Sequence, residues 1–574
     1  PEQSVESPEI ILASNYSTGT TVYQGDNRYS LKNVQFYQHR LELRKRDQYF
    51  LRFYATHEDA GDSYDPYFTA LLLQRRAKTA EYWRGDYINY WNITVLPQMR
   101  AQEGYPRPLD YIGKPAEFRA AQQAFLSRPD IVALLSQWHQ EAQTKALSAN
   151  QLTNSQNFFE PGTERFQEVF DDITSKISYA EGGTRFFDRS ALVHGHGEYR
   201  FNDLVDNGSV TDLDIVVGAN ARLYMPNSMG SILLDTMGRN IDTYEYGIYG
   251  GGGIEFNSRL KVNASLRMDK NQNYDYLFSP AASMVYTPTA QQTFRLSFSS
   301  AIRNPTLGDQ YQFYNVGRAI LLGNLDGFQN LIDLESFGDY LTTLDETQLK
   351  YFDVDPIQPE KVKTVEVGYR NTFFDKLFLD ATYYYSFYRD FIGYNIGVTS
   401  RFDNVTGLPN NVQAYRVAAN ATDRVTTQGF SVGLNYYFAN YYVVNGNYSF
   451  NKLNTATDDP IIPAFNTPEH KYNIGISGRN IPLSLGGLRI PDFGFSVNYK
   501  WIEGFLFEGS PQFTGFIPTY DLLDAQINWY SKRINTTFKL GASNILDNQV
   551  FQTYGGPRIG RLAYFSVLYE FKKK

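Results

Sequence analysis

His194 and His196 lie two residues apart, and on a β-strand that spacing puts both imidazoles on one face. Such a pair can chelate a divalent transition metal. The chain holds only six His and no Cys, and no third ligand accompanies the pair, so no metal and no cofactor is assigned. The plainer reading is a polar position on the wet face of a strand. Asp353, Asp355 and Glu360 fall in one connecting segment; they could hold calcium, and a solvated acidic loop is the plainer reading there too. Gly250 to Gly253 form a glycine run, but no Gly-Lys-Ser/Thr follows to cradle a phosphate. Within a strand such glycines allow a kink or the close approach of another group. The lack of cysteine removes disulfides, thiolate metal sites and cysteine nucleophiles. No His-Glu-x-x-His occurs and no nucleophile–base set stands out. No catalytic residue is assigned, and an enzyme is not expected.

The elements that must position these residues are strands. From about residue 185 onward, apolar and polar residues alternate at period 2. Leu377, Leu379, Ala381, Tyr383, Tyr385 and Phe387 interleave with Asp380, Thr382 and Ser386. Phe430, Val432, Leu434, Tyr436 and Phe438 interleave with Gly429, Ser431, Gly433 and Asn435. Leu523, Ala525, Ile527 and Trp529 do so with Asp524, Gln526 and Asn528. Each strand has one apolar face and one wet face. Short turns such as Asp375-Lys376 and Ala439-Asn440 alternate with long connections such as 301–357 and 504–518. That alternation is what an outer-membrane barrel shows, with tight periplasmic turns and large external loops.

Composition agrees. Aromatic residues make up 16% of 574, with 45 Tyr and 41 Phe, as girdles at two lipid interfaces require. The mean hydropathy of -0.42 fits strands that are half polar, and no apolar run approaches the ~18 residues of a spanning helix. A net charge of -8 argues against nucleic acid, which calls for a basic stripe. The chain opens on Pro1-Glu2-Gln3, without a secretory signal, so a signal is expected to have been removed or to lie upstream.

About 17 strands are counted from the alternation. Residues 1–33, rich in Gly, Ser, Asn and Tyr, read as an extracellular loop, with the barrel spanning 34–574. Residues 59–184 break the pattern: Tyr67–Arg76, Ala116–Leu126, Pro129–Ala146 and the turn through Phe166, Val169, Phe170 and Ile173 have helical spacing. This predicts a helical extracellular insertion, either a self-packed cap or a ligand-facing lid.

Four segments, in order, carry a resemblance. They are Tyr286-Thr287-Pro288 with Ala301-Ile302-Arg303-Asn304-Pro305-Thr306-Leu307; Gln358-Pro359-Glu360-Lys361 leading to Val365-Glu366-Val367-Gly368-Tyr369; Asn466-Thr467-Pro468-Glu469-His470-Lys471; and Ser543-Asn544-Ile545-Leu546-Asp547-Asn548, then Tyr554-Gly555-Gly556-Pro557-Arg558 and an aromatic closing strand to Phe571. Together they resemble the barrel of TonB-dependent outer-membrane transporters. The resemblance implies a transmembrane antiparallel β-barrel of about 22 strands when complete, filled by an N-terminal plug. It implies uptake of a scarce nutrient across the outer membrane of a Gram-negative bacterium, driven through the TonB complex, which contacts the plug segment by its TonB box. Neither plug nor box is recognisable here. Counting strands back from the last makes 34–45 the sixth, so the plug and about five strands are expected outside this chain. The implied partners are membrane lipid, that plug segment and TonB, with a surface lipoprotein admitted as a further one. The competing readings are a plugless pore, adhesin or secretion component that never uses TonB, and an outer-membrane barrel enzyme. For substrate contacts the residues chosen are Tyr82, Trp83, Tyr87, Tyr90, Trp91, Tyr311, Tyr314 and Arg318, with interfacial packing as the equal alternative.

Overall fold

Period-2 alternation becomes a long antiparallel meander. The computed structural model describes residues 7–24, 28–178, 180–202, 204–205, 210–403, 407–454, 461–463, 465–486, 488–509 and 514–571. Its wall begins with β1 (Glu9–Gln24), β2 (Arg28–Lys45), β3 (Tyr49–Asp59), β4 (Ala191–Phe201) and β5 (Val210–Met225). It continues through β6 (Thr243–Phe256), β7 (Leu260–Asn271), β8 (Leu277–Thr289) and β9 (Gln292–Arg303). Next come β10 (Glu360–Phe373), β11 (Leu377–Arg389), β12 (Val425–Phe438), β13 (Tyr442–Asn454) and β14 (His470–Leu485). The last are β15 (Leu488–Ile502), β16 (Tyr520–Ser531), β17 (Thr536–Ser543) and β18 (Leu562–Tyr569). Each pairs with the next in one 18-stranded sheet.

Register keeps the two faces separate. Across the sheet, Val262, Met284, Leu296, Val367, Tyr383 and Phe430 stand opposite one another in sequence of strands, and Met284, Leu296, Val367, Tyr383 and Phe430 are exposed. Phe495, Ile527, Leu540 and Phe565 form a second such row. The residues between them form polar rows, such as Thr382, Ser431, Ser449 and Lys471. Gln526 keeps the register expected of it, pairing with Gly541 and then Tyr564, whose hydroxyl donates to Gln526 Oε1 at 3.0 Å. Gly368 makes room on the polar face: a Cβ there would sit 2.7 Å from Arg295 Nε. The Arg295 guanidinium reaches Asp380 at 2.6 Å, and Arg370 closes on the same carboxylate at 3.0 Å.

Short turns alternate with longer connections along most of the meander, the exceptions being the short links between β1 and β2 and between β7 and β8. Asn257-Ser258, Phe374-Asp375 and Ala439-Asn440 all take left-handed backbone angles, which suits two-residue hairpin turns matched to strand twist. Two sequence expectations are corrected. Residues 1–33 are not a loop, because β1 fills Glu9–Gln24 and β2 starts at Arg28. Ile10, Leu12, Tyr16 and Val22 share one face there, but Ser14, Thr18 and Thr20 interrupt it and Ile11, Ala13 and Tyr23 stand on the other, which hides the strand; Thr is a good strand former. The count therefore rises from about 17 to 18, the even number that bacterial barrels favour. The stretch 413–438 is also not one strand: it breaks at Ala421–Arg424, and Pro409–Asn420 belongs to another sheet.

That second sheet has six strands, built from the connections between β9 and β10 and between β11 and β12. Its long pair is Ile392–Phe402 with Pro409–Asn420, flanked by Phe328–Asp333 and Tyr351–Val354 on one side. On the other side Ile320–Leu322 joins 415–417 in parallel. Leu331, Val354, Val417 and Ala419 form one buried cluster, and Ile332, Phe337, Tyr340 and Val398 another.

A separate compact unit comprises Arg28–Lys32 and Asp62–Phe186. It is helical where periodicity predicts, at Pro66–Ala77, Pro115–Leu126, Pro129–Leu147 and Glu164–Ser175, and also at Ala80–Tyr90, a helix the periodicity does not mark. Side chains of Asp65, Thr79 and Thr163 cap the helices that start at Pro66, Ala80 and Glu164 by accepting from otherwise orphaned N–H groups. Ile131, Ala142 and Ala146 are fully buried on one helix face. Lys78 is buried with them; its ammonium donates to Asp86 and to the carbonyls of Ala146 and Ser148 at 2.6–2.7 Å.

Candidate functional site: a polar cavity on the inner wall

Alternation leaves the inner faces of β4 to β7 with polar side chains at every second position, and these line a cavity of about 950 Å³. His194 and His196 project from β4, Asn220, Arg222 and Tyr224 from β5, Glu245 and Tyr249 from β6, and Arg267 and Asp269 from β7. The segment Asn304–Gln310 covers one side. It turns inward from β9 because Thr306 and Asp309 form a capping box on a single helical turn. Gln310 Nε2 then donates to the Pro305 carbonyl at 2.7 Å.

Most of the lining is internally paired. Tyr249 hydroxyl donates to Glu198 at 2.7 Å and meets His196 Nε2 at 2.9 Å. Arg267 Nε lies 2.7 Å from Asp269, and its Nη2 donates to Asn220 Oδ1 at 2.6 Å. Glu245 gathers Asn271 Nδ2 at 2.9 Å, Asn304 Nδ2 at 3.0 Å and, more distantly, Arg222 at 3.8 Å. His194 differs. It is only 7% exposed, stands opposite Tyr54 and Arg222 in the sheet, and among the described residues neither ring nitrogen has a hydrogen-bond partner. Asn304 Oδ1 is unpartnered too.

The motif residues lock the roots of the long connections to the wall. Arg303 and Glu360 are register partners on β9 and β10 and form an ion pair at 3.7 Å. Glu360 also accepts from Ile392 N at 2.9 Å. Asn466 and Glu508 exchange side-chain and backbone bonds at 2.7 and 3.0 Å. Asn544 accepts from Asn548 N at 3.0 Å and donates to the Asn548 carbonyl at 2.8 Å, closing its own turn. A family model described as TonB dependent receptor-like, beta-barrel matches residues 7–545.

The chain belongs to that family. Solved structures share the fold of this TonB-dependent receptor barrel at low identity. The siderophore receptor PirA from Acinetobacter baumannii aligns over 99% of this chain and 69% of its own, with 11% identity and a TM-score of 0.54. The copper transporter OprC aligns over 98% and 69%, with 12% identity and the same TM-score of 0.54. A ferric enterobactin receptor mutant from Pseudomonas aeruginosa, in complex with enterobactin, aligns over 98% and 68% with 11% identity and 0.54. No curated protein sequence matches.

The residues that sequence reasoning chose are distributed between the two units of the receptor barrel. In the helical unit, Trp83, Tyr87 and Trp91 stack at one-turn spacing, with centroids 5.3 and 6.1 Å apart. His139 stacks on Trp91 at 4.5 Å and bonds to the Tyr87 hydroxyl. Their ring faces are largely spent on one another. Tyr90 leans on Glu141 at 3.4 Å, while Tyr82 is exposed. In the other unit, Tyr311 is buried against Leu233 and Ile241, and its hydroxyl accepts from Asn273 at 2.8 Å. Tyr314 packs on Val316, Ala319 and Leu321; Arg318 is exposed. Asp353 accepts from Asn330 N at 2.8 Å, a turn role. Among the described residues no group of three or more potential metal ligands forms. Gly429–Gly433 spells Gly-Phe-Ser-Val-Gly, but Ser431 sits mid-strand between Thr382 and Ser449, away from the strand-to-helix elbow that chemistry needs. Sequence reasoning missed the cavity as a site. The His194–His196 pair was its visible trace, whereas Arg222, Glu245, Arg267 and Asn304 converge only through strand register.

Proposed function

We propose that this receptor barrel takes up a scarce nutrient across the outer membrane by TonB-driven transport, and that the ligand is received on the long-connection side of the inner wall. Family membership over residues 7–545 carries the reading. The polar cavity on β4–β7 supports it, because a concave site with convergent polar groups is where a ligand is expected. The siderophore and copper transporters among the structural relatives make a metal-linked nutrient one candidate. The reading calls for a plug and the TonB complex as partners, in the outer membrane of a Gram-negative bacterium. Tyr82 and Arg318, both exposed, are proposed as contacts on the long connections.

The test is uptake by cells expressing the full gene product, with TonB intact, with TonB deleted, and with a protonophore. The reading expects accumulation only in the first condition. Accumulation that persists in all three would instead identify a plugless pore.

A further inference from the structure

Lys361, Lys363 and Arg389 stand on the face of the wall that meets lipid. The exposed apolar row through Leu296, Val367, Tyr383 and Phe430 marks that face, and alternation carries it toward the long connections. On β10 it runs Val367, Val365, Lys363, Lys361, and on β11 Tyr383, Tyr385, Phe387, Arg389. Lys361 is the register partner of Arg389, and Lys363 of Phe387. All three cations are exposed. They lie where β10 and β11 meet their long connections, the external end of an outer-membrane barrel strand. A cation on the lipid face is costly at mid-membrane and tolerated near an interface. The 13 residues of β11 exceed the roughly 9–11 that cross the hydrocarbon, so Arg389 emerges at the headgroup level. Lys361 emerges beside it, and Lys363, one pleat deeper, snorkels to the same level.

The protein answers little of this charge. Asp390 reaches Lys361 at 3.4 Å, but among the described residues Lys363 and Arg389 make no ion pair and no side-chain hydrogen bond. Two other cations on this face are answered. Lys270 donates to the Tyr274 carbonyl, and Lys452 lies 4.0 Å from Glu469. Two residues along a strand span roughly 7 Å and neighbouring strands lie about 5 Å apart, so the three cations rise from an area no wider than one lipid headgroup. A guanidinium takes phosphate through paired N–H donors, and lysines add point charges. Beneath the cations Val365, Phe387, Val367 and Tyr383 are exposed and form an apolar lane. A soluble anion would meet the charges and leave that lane bare. A phosphorylated lipid meets both.

We propose that the external ends of β10 and β11 form a binding site for the phosphates of one outer-leaflet lipid, with Lys361, Lys363 and Arg389 as its cations and the apolar lane as the bed of an acyl chain. This rests on the uptake reading for the membrane that surrounds the barrel, but lipid binding itself does not require TonB.

Native mass spectrometry of the purified full-length receptor in detergent counts bound copies of three probes: lipid A carrying two phosphates, the same lipid freed of phosphate, and inorganic phosphate. The parent should retain one copy of the two-phosphate lipid, held at least tenfold more tightly than either other probe. Affinity should fall tenfold or more in the Lys363→Gln/Arg389→Gln double variant. Lys471→Gln, on the opposite, polar face, should bind like the parent. Unchanged melting and slower migration of unboiled protein on gels check that each variant is folded. Equal binding of the phosphate-free lipid, binding indifferent to the double substitution, or an equal loss in Lys471→Gln would overturn the proposal. Inorganic phosphate held as tightly as the lipid would overturn it too, by showing a free-anion site. Lipid binding indifferent to the double substitution, beside uptake that still needs TonB, would remove the lipid site and leave the uptake reading intact. Lipid held by Lys363 and Arg389, beside accumulation that ignores TonB, would do the reverse.

Discussion

The helical unit and the inner wall each bury an ionisable side chain, and they treat it in opposite ways. Lys78 is fully buried, and its ammonium is met by one carboxylate and two carbonyls. His194 is nearly as buried, and among the described residues neither ring nitrogen has a hydrogen-bond partner. A buried ammonium without partners would shift its pKa and neutralise, so Lys78 is a closed structural joint between the start of the second helix and the end of Pro129–Leu147. An unmet imidazole on a cavity wall carries a cost of about 1–3 kcal/mol. The difference teaches where the molecule is finished and where it is left open.

The widest effect is expected at the closed joint. Lys78→Ala leaves the poorly exposed Asp86 without its cation, though still bonded by Asn150, and should destabilise the helical unit by about 3 kcal/mol, read as accelerated hydrogen exchange across 66–175. Unchanged exchange there would mean the joint is not structural. Next is the six-stranded loop sheet, whose Leu331 is fully buried. Leu331→Ala should cost about 2–5 kcal/mol by loss of contacts and a residual cavity. Protease cleavage should appear in 313–354 and 392–420 while the wall strands β10 and β11 between them stay intact. Asn544→Ala removes the turn lock and should cost about 1–2 kcal/mol, seen as faster exchange in 544–561.

A smaller, pH-dependent effect is expected in the connection leading into β4. Burial is the chief cause that raises the Asp188 carboxyl above the ordinary carboxylate range, outweighing its bonds from Ser190. A raised acid favours the folded state when protonated. Its contribution is therefore full below the ordinary carboxylate pKa and is lost as pH rises through the elevated one. Asp188 shares this titration with the neighbouring Glu58 carboxyl, so exchange protection around Asp188 should fall as pH rises from that range toward neutrality, and Asp188→Asn should weaken the dependence. An unaltered profile in that variant would remove Asp188 from the account.

Much of this was legible in the sequence. The helices of the insertion depend on neighbours three and four residues away, so Ile131, Leu134, Leu135 and Trp138 announced theirs. The wall was legible for the same local reason, except where Ser and Thr in β1 blurred the alternation. The loop sheet was not: Ile320–Leu322 pairs with residues some ninety positions away, and its short strands carry no period long enough to count. The cavity shows the same limit. His194 and His196 are neighbours in sequence, but Arg222, Glu245, Arg267 and Asn304 join them only once the register from β4 to β9 is fixed.

That register is the claim everything above depends on, and the absence of native cysteine gives it a direct test. Single cysteines at Gln526, Ile527, Asn528 and Trp529 on β16 are exposed to a water-soluble maleimide with the receptor in lipid vesicles. The account predicts labelling at 526 and 528, on the polar face, and protection at 527 and 529, on the lipid face. Equal labelling at all four positions, or labelling at 527 and 529 alone, would contradict it.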